Sequence, residues 1–131
     1  ESTYASTPTF IDGWLVGWIR RDIWEVTNTG EEDIVEGVVT FNLDASNFDF
    51  TSARNDGEDL RFVTTDGTLL SHNIENYDFE SQTATIHVKL PPIKAGESMT
   101  IYLFYGNKNA TWTSDETIVP GSETLTLTKK S

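Results

Sequence analysis

Apolar residues in this chain alternate with polar ones over short runs, and turn formers interrupt the runs roughly every ten residues. In residues 83–90, Ile86, Val88 and Leu90 share one side and His87 and Lys89 the other, until Pro91-Pro92 ends the run. Successive strand side chains point to opposite faces, so the pattern predicts a strand buried on one side. Residues 99–105 differ: Met99, Ile101, Leu103 and Tyr105 line one face, Tyr102 and Phe104 the other, as in a central strand covered on both sides. Residues 35–43 place Val39, Phe41 and Leu43 opposite Val38, Thr40 and Asn42. Residues 56–63 and Leu69-Leu70 flank Asp66-Gly67, a hairpin signal because Gly accepts positive φ. In residues 14–26 the alternation slips between Ile19, Arg21, Ile23 and Trp24, Val26, which predicts a bulge or an edge position. Residues 44–55 predict a loop that plugs Phe48 and Phe50 into one end of the core. No sustained 3.6-residue period occurs, so the expected fold is all-β: an antiparallel β-sandwich of jelly-roll or Ig-like kind.

A chain of 131 residues suits one domain. Residues 1–9 predict an extended N-terminal arm with little to bury besides Tyr4, and Phe10 begins to dock. The sandwich is expected over residues 10–110, followed by a linker and C-terminal strand over 111–131. That strand, Thr124, Leu125, Thr126, Leu127 and Thr128, follows the breaker pair Pro120-Gly121 and has only its leucines to bury.

Charge and composition narrow the function classes. A net charge of −12 and a pI near 4.3 oppose nucleic acid or anionic membrane as partners, since each phosphate contact would work against repulsion. Cysteine is absent, which removes disulfides, thiol nucleophiles and thiolate metal sites. No apolar run approaches the roughly 20 residues that span a bilayer. A first residue Glu1 rather than Met is what an exported, processed chain would show, and Asn109-Ala110-Thr111 is a glycosylation sequon with Asn109 as acceptor. The expected location is extracellular or at the cell surface.

Several pieces together carry a family resemblance: Trp18-Ile19-Arg20-Arg21 before Thr27-Asn28-Thr29-Gly30, then Asp56-Gly57-Glu58-Asp59-Leu60-Arg61-Phe62, Asp66-Gly67-Thr68-Leu69-Leu70, Ile86-His87-Val88-Lys89-Leu90-Pro91, and Tyr102-Leu103-Phe104-Tyr105-Gly106-Asn107. In that order, from Trp18 to Asn107, the chain resembles the domain-of-unknown-function family 2341. The family usually carries Trp where this chain has His87. The resemblance implies an exported β-rich module of archaeal and bacterial surface proteins, and it implies no catalytic residue or ligand.

Three constellations are candidates for chemistry. Trp14, Trp18 and Trp112, with Trp24, Tyr77 and Tyr102 in the wider aromatic set, can form a platform on which sugar rings stack; core packing is the competing reading, above all for Trp24 and Tyr102. Asp56, Glu58 and Asp59, near Asp44 and Asp49, are candidate oxygen ligands for Ca²⁺, although Asp-Gly clusters ordinarily make turns and no helix-loop-helix calcium spacing is present. Arg20-Arg21 are expected in surface ion pairs. His72 and His87 are expected to be exposed, in different elements and without a supporting motif, so the reading is not an enzyme and needs no cofactor.

The terminal strand separates the functional readings. Either it completes its own sheet, or it, or the arm from Glu1 to Phe10 with Tyr4 and Phe10, adds to the edge of a neighbouring copy, and a head-to-tail contact of that kind builds a filament. The function expected is a secreted, non-catalytic structural subunit, a homo-oligomer or polymer joined by strand exchange, with a carbohydrate-binding module (partner: polysaccharide) as the alternative.

Overall fold

The computed structural model describes residues 9–112, 114–121 and 124–130; Tyr4 of the expected arm lies outside them. In chain order the strands are β1 (Phe10–Ile11), β2 (Trp14–Leu15), β3 (Arg20–Asn28), β4 (Val38–Asp44), β5 (Arg61–Thr64), β6 (Leu69–Leu70), β7 (His72–Asp78), β8 (Thr83–Lys89), β9 (Ser98–Tyr105) and β10 (Leu125–Lys130). A five-stranded sheet in the order β10-β3-β9-β5-β6 packs on a three-stranded sheet in the order β4-β8-β7, every pairing antiparallel. The protein is an all-β sandwich.

Inner-face side chains of both sheets make one core. Trp24, Val26, Phe62, Ile101, Leu103 and Tyr105 of the larger sheet meet Val39, Phe41, Leu43, Ala84, Ile86 and Val88 of the smaller. Phe48 and Phe50 close one end, Phe48 edge-on to Phe50 at 4.8 Å and tilted against Tyr105 at 4.5 Å. The predicted plug is therefore present, with Phe50–Ser52 as a short 3-10 turn.

The other face of β9 is covered as well. The β1–β2 hairpin, turned at Asp12-Gly13 with φ values of 53° and 81°, lays Leu15 and Phe10 against Phe104 and Val63 in a second, smaller core. Positive φ at both central residues is the geometry that matches the twist of a two-residue hairpin.

Three expectations are corrected. First, β3 is an unbroken interior strand between β9 and β10, with Trp24, Val26 and Asn28 inward; the irregularity falls instead in β7, between Ile74 and Asn76. Ile19, which made the alternation slip, precedes the strand and is exposed. Second, the sandwich reaches past the expected bound at residue 110: β10 occupies one edge of the larger sheet, the first of the two placements weighed for that strand. Third, His72 and His87 are buried, at 0 % and 2 % exposure.

Candidate functional site

The segment from Asp56 to Arg61 folds into a corner held by buried charges. Asp59 is fully buried, and its carboxylate accepts hydrogen bonds from the backbone N–H groups of Arg54 (3.1 Å), Gly106 (2.7 Å) and Asn107 (3.1 Å). A carboxylate satisfied by backbone donors ties the entry of β5 to the end of β9. Next to it the Arg61 guanidinium donates to the carbonyls of Glu58, Leu60 and Thr111 at 2.6, 2.9 and 2.7 Å. Its plane lies between two indoles, 5.4 Å from the Trp18 ring centre and 4.8 Å from that of Trp112. Trp112 in turn stacks on His72 at 4.4 Å with 5° between planes. Burial pulls Arg61 down to about 10, against the opposing charges of Asp59 and Glu58, so it stays cationic at neutral pH. The same burial, with Arg61 nearby, pulls His72 down to about 3.

Gly57 shows why this corner needs its glycine. Its φ is +74°, and a Cβ there would come within 2.5 Å of the Tyr77 ring. Both the backbone conformation and the close approach exclude a side chain.

A second arginine is clamped on the same outer face. The Arg21 guanidinium lies 4.9 Å from the Trp14 ring centre and 4.6 Å from that of Tyr102, and donates to the Gly13 carbonyl at 2.8 Å. The three candidate platform residues thus divide between two clamps. Trp112 has His72 and Arg61 against its ring, Trp18 faces Arg61 and donates from Nε1 to the Asp59 carbonyl, and Trp14 alone is exposed, at 39 %. Trp24 packs in the main core, and Tyr102 is half-buried against the smaller core on the other face of β9.

The candidate calcium ligands do not converge. Asp56 pairs with Arg54 at 2.8 Å, Glu58 accepts from the Trp112 N–H at 3.2 Å, and Asp59 is committed to the corner; no group of three metal-competent side chains occurs among the described residues. Asp49 instead accepts from the Thr51 and Ser52 hydroxyls and from Arg20 at 3.0 Å, which holds its carboxyl down to about 2. Asn109 is exposed in the turn after β9.

His87 sits at the centre of a line of hydrogen bonds on the outer face of the smaller sheet. Its Nδ1 is 2.8 Å from Thr40 Oγ1 and its Nε2 is 2.5 Å from Glu75 Oε1. With the imidazole 2 % exposed, the line encloses the ring rather than presenting it to a substrate.

The remaining site is the β3–β10 edge. β10 pairs with β3 from Leu125↔Asn28 to Lys130↔Ile23. Leu125 and Leu127 are half-buried against the core, whereas Thr126, Thr128, Lys129 and Lys130 are exposed. At the start of the strand the Thr124 carbonyl accepts from Thr29 N and Oγ1 (2.9 and 3.0 Å), and Thr124 Oγ1 donates to Asn28 at 3.3 Å. At its end Lys129 lies 3.7 Å from Asp22 and donates to the Asn47 carbonyl at 2.8 Å, and Lys130 faces Glu25 at 3.5 Å. Sequence reading picked out Thr124 to Thr128 but missed Asn28. This fully buried side chain also donates to the Glu32 and Ile93 carbonyls, and the only hint of it was an Asn at the end of an apolar strand.

The profile of a family described as Domain of unknown function (DUF2341) matches residues 56–122. The chain belongs to that family. No curated protein and no solved structure matches the chain. The DUF2341 match begins at the Asp59–Arg61 corner, runs through β5 to β9, and ends before β10. Family membership therefore attaches to the locked half of the molecule, and the β10 edge lies outside the matched residues.

Proposed function

We propose that this chain is a non-catalytic structural subunit of an extracellular or cell-surface assembly, joined to further copies by moving β10 onto β3 of a neighbour. The observation that carries the reading is how β10 is attached. It follows Pro120-Gly121, it lies at the edge of the larger sheet, and it meets the body through one ladder, two half-buried leucines and surface lysine contacts. A second copy offers an identical β3, so every contact made within one molecule can be made between two. Non-reciprocal exchange does not close on itself and grows a filament.

The absence of native cysteine allows a direct test. Thr27 and Thr126 are directly opposed across β3 and β10, a separation suited to a disulfide. Thr27→Cys and Thr126→Cys are made as separate proteins, mixed and oxidised. Strand exchange gives a covalent dimer containing one of each; a mixture that yields no such dimer refutes the proposal.

The carbohydrate reading retains one favourable feature, the exposed Trp14 ring. Retention of monomer on polysaccharide, abolished by Trp14→Ala, is the result that would support it.

A further inference from the structure

Resting on the strand-exchange reading, we infer that the exchanged unit is β10 alone, turned about Val119, Pro120 and Gly121, while Trp112 and residues 114–118 stay on the donor's own body as a fixed strap. The strap begins at Trp112, pressed between His72 and Arg61, whose Nε1 donates to the His72 carbonyl at 3.3 Å. It then follows β7. Ser114 Oγ accepts from the Ile74 N–H at 2.9 Å, beside the irregularity between Ile74 and Asn76 where the β7–β8 ladder is interrupted. Asp115 N donates to the His72 carbonyl at 3.2 Å, and Asn73 Nδ2 to the Ile118 carbonyl at 3.1 Å. Ile118 is 5 % exposed. These contacts join the strap to β7 and β5 of the same molecule, and none involves β3 or β10.

Beyond Ile118 the attachment changes character. Val119 is 59 % exposed, and Pro120 and Gly121 are exposed too. Proline has no N–H to lose from a ladder and glycine turns without steric cost, so this is where the chain can redirect β10 at least expense of contacts. Thr124 is clamped on Asn28 and Thr29. Extended chain spans at most about 3.3–3.6 Å per residue, so residues 118–124 reach roughly 20 Å. Donor and acceptor copies must therefore place one copy's Ile118 within that distance of the other copy's Asn28. The length of the tether then decides between closing on self and crossing to a neighbour: a tether too short to close in one molecule drives exchange, and a long one relieves it.

Two variants test this, each built on both single-cysteine backgrounds: deletion of Pro120-Gly121, and insertion of six Gly/Ser residues after Gly121. Deletion should raise the mixed disulfide several-fold over the parent and insertion should lower it several-fold. Equal yields in parent, deletion and insertion would overturn the inference while leaving strand exchange standing. No mixed disulfide in any of them would remove the strand-exchange reading itself. Hydrogen exchange on the unaltered protein gives a second check that does not depend on the variants folding. In the assembled state the amides of Asp115 and Ile118 should stay as protected as in the monomer, and loss of their protection on assembly would also overturn the inference.

Discussion

The corner around Asp59 and the edge occupied by β10 are held in opposite ways. At the corner, two buried charges are satisfied many times over: Asp59 accepts from three backbone N–H groups, and Arg61 reaches three carbonyls between two indole rings. At the edge, two half-buried leucines and exposed lysines hold six residues of strand. Buried charged networks are costly to break because each lost partner strands another group in a low dielectric, whereas a solvent-exposed ladder opens cheaply. The stretch matched to DUF2341 coincides with the first kind of construction. That difference teaches where the fold is specified and where an intermolecular contact is affordable.

The largest effect should come from Asp59→Ala, which leaves buried backbone donors unpartnered beside Arg61. The expected loss is about 3 kcal/mol or more in urea unfolding, and a loss under about 1 kcal/mol would show that the corner is not the fastening described. Trp112→Ala should cost about 2–3 kcal/mol, and in a double-mutant cycle with Arg61→Leu the two should couple by at least about 0.5 kcal/mol; strict additivity would mean that the stack carries no energy of its own.

Acid sensitivity provides a third contrast. His72 is neutral when folded, with its proton affinity pulled down to about 3, and regains an ordinary value near 6.5 when unfolded. Between those values the unfolded chain binds the extra proton, so stability falls as pH falls from about 6.5 towards 3, with a slope approaching 1.4 kcal/mol per pH unit from this residue. His72→Phe keeps a flat ring under Trp112 and should flatten that slope, as read from urea midpoints at several pH values. An unchanged slope would mean that His72 is not what makes the corner acid-labile.

The smallest effect belongs to the edge. Leu127→Ala should cost only about 1 kcal/mol. It should appear chiefly as faster amide exchange in β10 and β3, with the global unfolding midpoint little moved. A large global loss would make β10 part of the core rather than a detachable border.

Much of the architecture is legible in the residue pattern, because local chemistry decides it. Asp66-Gly67 sets the β5–β6 turn, the alternation of Ile86 and Val88 sets the buried face of β8, and the two apolar faces of β9 announce its central place. What escaped was decided by partners remote in sequence. His87 alternates like a solvent-facing residue yet is buried with Thr40 on one side and Glu75 on the other. β7 hides its period behind the irregularity at Ile74. The tryptophans do share a site, but their partners are arginines: Trp18 and Arg61 are far apart in the chain, and a pattern read along one strand cannot show that a cation lies between two rings. The edge strand itself was visible at Leu125 and Leu127, whereas the strap along β7 depends on Trp112, Ser114 and Ile118 meeting that strand.

Whether β10 serves a neighbour is tested most directly by the mass of the native protein as a function of concentration. Light scattering, with negative-stain images of the same samples, should show rods that lengthen with concentration and disappear in the Leu125→Asp/Leu127→Asp variant, which remains folded and monomeric. A parent protein that stays monomeric up to millimolar concentration, or rods that persist unchanged in the variant, would contradict strand exchange.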